Sequence, residues 1–211
     1  MDQLKRLKRI PVDLGSSIIT DARCGNKSTL YRIWFIYSLE SRCLDSQPNN
    51  GHLAIAALNI PSVRKRIMPS AIAPPLHVTQ NIDDLSLRSL QLLPESVTTT
   101  ALETLIQMHG SLFKTRCLSC NHVRHSYEPH LAVSFKDCTS PNSFIDISTD
   151  KLPRCGGDDW SGCNRFGRCG GPLRPDVVWF GEIPPLMGEI ARKITWCDLL
   201  IVVGTSSTVS F

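Results

Sequence analysis

The sequence predicts an α/β domain that contains part of a parallel sheet and a small cysteine-rich insert at about residues 111–175. Helix-like and strand-like segments alternate along much of the chain, which is the pattern of a parallel sheet covered by helices. Between two of these segments lies a Cys-x-x-Cys pair, followed by a second group of cysteines. Such spacing is typical of a structural metal module rather than of the sheet itself.

Size and composition limit the possible classes of protein. With 211 residues the chain can form one sizeable core, or one domain with a small module. A net charge of +4 gives no case for specific nucleic-acid binding, and no apolar run approaches the roughly 18 residues of a membrane span. Nine cysteines fit a complete disulfide framework poorly, so we expect a soluble intracellular protein with metal or redox cysteines.

Residues 47–79 predict one helix and one strand, after a segment in which residues 16–20 could form a short strand. The first 46 residues form a divergent segment without a clear helical or alternating period. Residues 52–58 follow a turn signal and favour a helix, which Pro61 should end. Residues 61–75 hold four prolines and predict an irregular loop. Residues 76–79 are β-prone, and we interpret them as a short buried strand.

Polar side chains follow this predicted strand directly, in the order Gln80-Asn81-Ile82-Asp83-Asp84. Open α/β sheets bind ligands at the carboxyl ends of their strands, so these side chains predict a ligand crevice. A simple Asn/Asp turn without a ligand is the alternative interpretation of the same residues.

Three further elements are predicted towards the end of the chain. Residues 177–180 form a short strand, and residues 186–196 suit an amphipathic helix. Residues 199–203 are continuously apolar, which predicts a fully buried strand of the parallel sheet, with Cys197 in the core before it. The small residues that follow, Gly204-Thr205-Ser206-Ser207, allow a phosphate or a ribose to approach the backbone.

The cysteines of the insert predict a zinc site. Zinc prefers four soft ligands in a tetrahedron, and Cys117 and Cys120 can bind one ion from a single turn. Cys155 and Cys169 are the expected second pair, with Cys163 as the alternative for either of them. A redox dithiol is disfavoured because no thioredoxin-like βαβ pattern surrounds the pair. A nucleic-acid-binding zinc protein is disfavoured because the region has no basic-aromatic stripe.

Five motifs occur in the order found in one enzyme family. They are Thr79-Gln-Asn-Ile-Asp83, His109-Gly-Ser, Cys117-x-x-Cys120, the run from Cys169-Gly-Gly to Trp179-Phe-Gly-Glu182, and Val203-Gly-Thr-Ser-Ser207. Across roughly residues 46–209 the sequence resembles the sirtuins, which are NAD-dependent protein deacylases. The resemblance implies that residues 47–211 form an incomplete sirtuin-type catalytic domain with a partial Rossmann-like parallel sheet, after the divergent residues 1–46.

The resemblance also implies a role for each matching position. His109, which alone would be interpreted as a hydrogen-bonded loop histidine, is the expected general base on the NAD ribose hydroxyls. The residues expected to contact NAD are Gln80, Asn81, Ile82, Asp83, Gly204, Thr205 and Ser206. The residues expected to bind the substrate peptide as an added strand are Val178, Phe180, Gly181 and Glu182. The zinc, held by Cys117, Cys120, Cys155 and Cys169, is expected to be structural.

One branch of the family matches best. The run Leu-Phe-Lys-Thr-Arg after His109-Gly-Ser, and the run Val-Val-Trp-Phe-Gly-Glu182, resemble the branch that removes succinyl, malonyl and glutaryl groups from lysine. We therefore expect an NAD-dependent protein lysine deacylase of the deacetylase or desuccinylase type. The expected substrates are acyl-lysine proteins or peptides.

One motif of the family is missing. The family's Gly-Ala-Gly-x-Ser loop, which binds the NAD pyrophosphate, is not found in residues 1–47, and we expect the domain to be truncated at both ends. Weak NAD binding and impaired activity are the expected consequences. The alternative is a non-catalytic, zinc-stabilised remnant of the family that acts as a binding module.

The remaining expectations concern partners and location. We expect a monomer that binds neither a specific nucleic acid nor a membrane. The branch resemblance alone suggests the mitochondrion, with the nucleus and the cytoplasm as alternatives. Asp2 and Asp13 in the basic start of the chain do not favour a mitochondrial presequence.

Overall fold

The computed structural model describes residues 40, 42–127, 154–156, 169–179 and 182–204. Five residues with a predicted role lie outside the described residues, namely Cys163, Phe180, Gly181, Thr205 and Ser206. The same holds for almost all of the divergent segment at residues 1–46.

Helix α1 (Asn50–Ala57) begins directly after Asn49, whose side chain caps it. The Asn49 Oδ1 atom accepts hydrogen bonds from the backbone N–H groups of Gly51 at 2.9 Å and His52 at 3.2 Å. The His52 Nδ1 atom in turn accepts from the Asn49 backbone N–H at 3.3 Å. These reciprocal bonds satisfy donors that a helix start otherwise leaves unpaired, and they confirm the helix predicted at residues 52–58.

Helix α2 (Pro61–Ile67) occupies part of the segment predicted to be an irregular loop, so that prediction is wrong there. Pro61 is the first residue of this helix, a position at which its missing N–H is not needed. The buried Arg64 fixes the loops on both sides of the helix. Its guanidinium donates to the carbonyl oxygens of Leu58, Asn59 and Ile72 at 3.4, 3.1 and 3.5 Å.

A parallel pair of strands, β1 (His77–Thr79) and β2 (Leu105–Gln107), forms the centre of the α/β part. Thr79 pairs with Gln107, so the carboxyl ends of the two strands lie side by side. This confirms the strand predicted at residues 76–79. The polar loop that follows β1 therefore begins beside the segment that follows β2.

Helices α3 (Leu85–Gln91) and α4 (Glu95–Glu103) connect the two strands, as a parallel pair requires. They pack against α1 through a core of fully buried side chains, which are Ala56, Leu90 and Ala101. Burying a leucine such as Leu90 stabilises the fold by about 2 kcal/mol. The two helices are thereby held beside the strands whose ends carry the polar loop.

A second sheet is antiparallel and has the strand order β4–β3–β5. Its central strand β3 (Gly110–Cys117) begins directly after His109 and ends at the first cysteine of the Cys-x-x-Cys pair. Strand β4 (Val123–His125) follows the cysteine turn, and β5 (Leu173–Val177) follows the second cysteine group. One strand thus has the candidate base at its start and the cysteines at its end.

The strand predicted at residues 177–180 lies earlier in the chain than predicted, at Leu173–Val177. Strand β5 ends at Val177, and Val178 and Trp179 follow it without regular structure. The physical reason is pairing, because the partner of Val177 is Gly110, the first residue of β3. Beyond that point the described contact is a single hydrogen bond from the Val178 N–H to the carbonyl oxygen of His109, which lies before β3.

Helix α5 (Met187–Thr195) confirms the amphipathic helix predicted at residues 186–196, and its Ile190 packs on Ile106 and Met108. Neither α5 nor any other described helix is long and apolar enough to span a membrane. The strand predicted at residues 199–203 is wrong, because these residues form no strand and are 57–65% exposed. A buried parallel strand needs paired neighbours, and no described strand pairs with this run. Cys197, expected in the core, is exposed as well.

Candidate functional site

Three of the predicted site segments meet at one place. The Leu112 N–H donates to the Ile82 carbonyl oxygen at 2.9 Å, so the loop after β1 contacts the start of β3. The Val178 N–H donates to the His109 carbonyl oxygen at 2.9 Å, which brings in the segment after β5. The candidate base, the polar loop and the predicted substrate segment are therefore neighbours, although they are far apart in the chain.

His109 lies between β2 and β3, and a hydrogen bond to the loop after β1 orients its ring. The Nδ1 atom lies 3.0 Å from the backbone carbonyl oxygen of Gln80. A carbonyl oxygen only accepts, so Nδ1 carries the hydrogen, and the neutral ring has its lone pair on Nε2. The Nε2 atom is buried, and an imidazole in this tautomer can act as a general base towards a ligand that reaches it.

The loop after β1 presents two amide side chains beside this histidine. Gln80 and Asn81 are exposed, whereas Ile82 packs against the core of the antiparallel sheet. The Asp83 Oδ1 atom accepts from the Leu85 N–H at 3.0 Å and fixes the start of α3. The loop is thus anchored at its end, and its two exposed amide side chains precede that anchor.

Gly110 allows β5 to approach His109 closely. Its φ of 78° lies in the left-handed region, and an added Cβ atom would overlap the carbonyl oxygen of Asp176. Only glycine meets both conditions without strain. Gly110 pairs with Val177, and Val178 contacts the His109 backbone. This glycine therefore sets the spacing between the base and the predicted substrate segment.

Replacement of Gly110 by alanine is expected to destabilise the fold by about 3 kcal/mol, because the left-handed backbone and the steric overlap both oppose the methyl group. Chemical denaturation followed by tryptophan fluorescence measures this loss. Gly170→Ala is the matched control, since Gly170 has a φ of 67° but nothing lies within 4 Å of an added Cβ. The control should lose only about 1 kcal/mol. Equal losses for both variants would contradict the steric explanation.

Glu182, predicted to contact substrate, has its carboxylate hydrogen-bonded to Arg174 of β5 and to the backbone of Trp179. Arg174 donates to both carboxylate oxygens at 2.8 and 3.0 Å, and the Trp179 N–H donates to Oε2 at 3.1 Å. Arg174 also donates to the Val177 carbonyl oxygen at 2.8 Å, and its guanidinium lies 5.7 Å from the Trp179 ring centroid. The side chain of Glu182 therefore holds the segment after β5 in place.

The Glu182→Gln variant is expected to lose about 1 kcal/mol of stability near pH 7, because it removes one charge from a partly exposed pair. Burial opposes ionisation of Glu182, but hydrogen bonds from Arg174 and from the Trp179 N–H outweigh it and lower the pKa of this carboxyl. A carboxyl whose pKa is lower in the folded state stabilises the protein above its unfolded pKa, and this contribution is lost as the pH falls through the folded pKa. Urea denaturation should therefore show the difference from wild type shrinking in acid. A difference that stays constant down to about pH 3 would contradict the ion-pair account.

Four cysteines come together at the far end of β3, namely Cys117, Cys120, Cys155 and Cys169. Their sulfur atoms all lie within 4.8 Å of one another. The Cys117–Cys169 and Cys120–Cys155 sulfur distances are 3.8 and 3.7 Å. A tetrahedral zinc with bonds of about 2.3 Å requires sulfur–sulfur distances of about 3.8 Å. The cluster therefore fits the predicted zinc site, and four thiolates would leave the ion no open position.

Backbone contacts hold the two cysteine pairs together. The Cys155 N–H donates to the Gly171 carbonyl oxygen, and the Gly170 N–H donates to the Cys155 carbonyl oxygen, both at 2.9 Å. An added Cβ at Gly171 would overlap the Ser119 side chain, so the close approach needs a glycine. Burial raises the pKa of the Cys155 thiol to about 12. A bound divalent cation would remove that penalty by stabilising the thiolate.

The described contacts bring together His109, the loop of residues 80–83 and Val178, and none of those contacts involves Gly204. Two residues that shape the site were not predicted from the sequence. The need for Gly110 follows only from the register of β5 against β3, although its place next to the candidate base is a signal. Arg174 holds the segment after β5 through its ion pair with Glu182, and this contact follows only from the chain turning back so that Glu182 lies beside β5.

The chain belongs to the Sir2 family, whose model matches residues 17–210. Its fold is the Rossmann-like α/β fold of that family. A solved Sir2 homologue in complex with NAD is 27% identical with a TM-score of 0.55, over 86% of this chain and 53% of that chain. A mutant Sir2 homologue in complex with ADP-ribose is 26% identical with a TM-score of 0.55, over 86% and 55%.

Curated relatives narrow the class to the sirtuin deacylases. The mitochondrial NAD-dependent protein deacylase sirtuin-5 of Canis lupus familiaris is 38% identical over 185 residues, 84% of this chain and 51% of that protein. The mitochondrial sirtuin-5B of Xenopus laevis is 36% identical over 184 residues, again 84% and 51%. NAD-dependent protein deacylase 1 of Archaeoglobus fulgidus is 30% identical over 178 residues, 83% and 52%. The predicted family is confirmed, and the chain spans about half the length of the curated relatives it matches.

Proposed function

We propose that this protein is an NAD-dependent protein lysine deacylase of the deacetylase or desuccinylase type. The observation that carries the proposal is the ring of His109, whose Nδ1 lies 3.0 Å from the Gln80 carbonyl oxygen and leaves Nε2 as the basic nitrogen. Membership of the Sir2 family supports it. Removal of succinyl and malonyl groups is proposed from the runs after His109-Gly-Ser and before Glu182 that resemble that branch.

In this proposal each residue of the site has one task. NAD, when bound, supplies the ribose carbon that bonds to the acyl-lysine oxygen as nicotinamide leaves. The Nε2 atom of His109 accepts a proton from a ribose hydroxyl and makes that oxygen more nucleophilic. The amides of Gln80 and Asn81 can both donate and accept hydrogen bonds, so they orient the ribose beside the base. The Val178 carbonyl oxygen is proposed to accept from a peptide that binds as an added strand, because the N–H groups of Val178 and Trp179 already donate to His109 and Glu182.

Other assignments rest on the family resemblance alone and remain predictions. They concern the cofactor contacts of Gly204, Thr205 and Ser206, and the substrate contacts of Phe180 and Gly181. The four clustered cysteines would hold a structural zinc that takes no part in the chemistry.

In this proposal the loop of residues 80–83 holds the nicotinamide-ribose part of NAD, and residues 1–47 lack the family's sequence motif for the pyrophosphate. Residues 1–47 hold only two glycines, Gly15 and Gly25, and no Gly-Ala-Gly-x-Ser loop. A glycine-rich loop before a helix is the usual pyrophosphate site, because it presents backbone N–H groups to the anion. We therefore propose weak NAD binding and reduced turnover. Calorimetric titration should give a millimolar dissociation constant, and micromolar binding would contradict this part.

Mass spectrometry of acyl-lysine peptides, with and without NAD, tests the proposed activity. Peptides that carry acetyl, succinyl, malonyl or glutaryl lysine are incubated with zinc-loaded protein at saturating NAD. We expect loss of the acyl mass only when NAD is present, together with an equal amount of free nicotinamide. No acyl loss from any of the four peptides, with folded and zinc-loaded protein, would reject the proposal.

A non-catalytic, zinc-stabilised binding module is the second candidate, and the missing glycine-rich loop favours it. Such a module would keep the cysteine cluster and the Val178 segment, on which a peptide would bind as an added strand. One zinc per chain and binding of acyl peptides, without turnover under the conditions above, would select this candidate.

We propose acylated lysine residues of proteins as the substrates and a monomer as the active form. The mitochondrion is the proposed compartment, because the sirtuin-5 relatives are named mitochondrial, with the nucleus and the cytoplasm as alternatives. Light scattering after gel filtration tests the monomer, and microscopy of a fluorescent fusion tests the compartment.

A further inference from the structure

Asp84, the residue after the loop of residues 80–83, has a buried carboxylate that accepts from three donors. Its side chain has an exposed fraction of 0%, and Gln107 Nε2 donates to its Oδ1 atom at 2.5 Å. On the Oδ2 atom, His125 Nε2 donates at 3.1 Å and the Tyr127 hydroxyl at 3.3 Å. A buried carboxylate is tolerated when such donors surround it, so this arrangement is a built hydrogen-bond network.

The backbone of Asp84 is left-handed at the start of α3. Its φ of 55° lies in a region that is disfavoured for most residues with a Cβ atom and that aspartate adopts more readily than most. Asp84 is the N-cap residue of α3. The side chain of the preceding residue, Asp83, accepts from the Leu85 N–H. The three donors to the Asp84 carboxylate hold this residue in place, and with it the end of the polar loop.

Gln107 connects the carboxylate to the segment that carries the candidate base. It is the last residue of β2, and its Oε1 atom accepts from Lys114 Nζ at 2.9 Å. Two positions later comes His109, whose Nδ1 lies 3.0 Å from the Gln80 carbonyl oxygen. The loop is therefore held at its first residue by His109 and directly after its last residue by Gln107.

His125 and Tyr127 connect the same carboxylate to the cysteine module. His125 is the last residue of β4, the strand that follows the Cys-x-x-Cys turn. The Tyr127 ring packs on Phe113 and on His125, with centroid distances of 4.9 and 4.7 Å. Burial, followed by the charge of Asp84, raises the pKa of Tyr127 to about 12, so its hydroxyl remains a donor at neutral pH.

We propose that Asp84 is a positioning residue that couples strand β4 of the cysteine module to the polar loop and His109. The Asp84 carboxylate accepts from Gln107 of β2 and from His125 of β4. A displacement of β4 is therefore transmitted to the end of the loop. The catalytic consequence rests on the proposed function, because Asp84 acts through the loop and the base and touches no ligand itself. The structural coupling stands without it.

Amide hydrogen exchange tests the coupling independently of turnover. Asp84→Asn keeps the shape of the side chain but directs an NH₂ donor at groups that are donors themselves. We expect exchange in residues 79–85 and 105–109 to accelerate about tenfold. Ser89→Ala is the matched control, because Ser89 is buried on the same helix and its hydroxyl donates to the Ser86 carbonyl oxygen at 2.7 Å, within that helix.

Two results of the exchange experiment would overturn the proposal. They are unchanged exchange in both segments of Asp84→Asn, and equal acceleration in Ser89→Ala. Tyr127→Phe, which removes a single donor, decides the question if Asp84→Asn does not fold. It should accelerate exchange in the same two segments, and no acceleration would reject the coupling.

Kinetics test the catalytic consequence. Asp84→Asn should lower kcat/KM for NAD by about a hundredfold through a displaced loop, and leave KM for the acyl peptide within about twofold. A rise in KM for the acyl peptide as large as the loss in kcat/KM for NAD would indicate a general structural defect. It would overturn the positioning role. A wild-type protein without turnover would remove the proposed function, whereas the exchange result would still decide the coupling.

Discussion

Replacement of His109 by alanine is expected to lower NAD-dependent deacylation by at least about a hundredfold, because a positioned general base typically contributes that much or more. The hydrogen bond to the Gln80 carbonyl oxygen fixes the hydrogen on Nδ1, which makes Nε2 the atom that accepts a proton. The contact between the His109 carbonyl oxygen and the Val178 N–H is made by the backbone, so it should survive the substitution. Initial rates of acyl-peptide turnover measure the loss.

A second histidine supplies the control for this experiment. His52→Ala removes a side chain that caps α1, away from the candidate base, and its rate should stay within about twofold of wild type. Circular dichroism should show the same fold for both variants. Turnover in His109→Ala close to that of wild type would remove His109 from the catalytic role.

Replacement of Cys155 by serine is expected to abolish stoichiometric zinc binding and to unfold the cysteine module. The Cys155 sulfur lies 3.7 Å from that of Cys120, as two ligands of one ion require, and serine offers zinc a much weaker ligand. Because binding of a structural zinc contributes on the order of 10 kcal/mol to folding, the loss exceeds that of any single packing contact in the module. Zinc content by mass spectrometry, and thermal denaturation with and without a chelator, measure both effects.

Cys43→Ser is the control for the zinc experiment. Cys43 packs beside the core of Leu112, Phe113 and Val177, and burial together with the charge of Asp83 raises its pKa to about 11. Such a thiol stays protonated at neutral pH, so this variant should keep one zinc per chain. A Cys155→Ser protein that also keeps one zinc would show that another residue, with Cys163 as the candidate, completes the site.

Features with their own local chemistry could be predicted from the sequence. Cys117 and Cys120 could be predicted to lie together because two cysteines separated by two residues can ligate one ion from a single turn. The clustered sulfur atoms agree with this prediction. The position of the loop of residues 80–83 at the carboxyl edge of the sheet could be predicted, because polar residues that directly follow a buried strand lie there. In both cases neighbouring residues in the chain determine the outcome.

Features that depend on distant partners could not be predicted. Pro61 can end one helix or begin the next, and only the following residues, held by Arg64, decide between them. The end of β5 depends on where β3 begins, at Gly110. The donors to Asp84 come from Gln107, His125 and Tyr127, which are 23, 41 and 43 residues away in the chain, so no local pattern reveals them.

The apolar run at residues 199–203 also bears on how the protein behaves in concentrated solution. Five consecutive apolar residues, 57–65% exposed and without a charge or a proline, resemble the segments from which aggregates nucleate. Attraction between such runs on different molecules grows with concentration and with salt, which screens the net charge that keeps molecules apart. Colloidal stability is therefore expected to be limited by this short run rather than by the folded core.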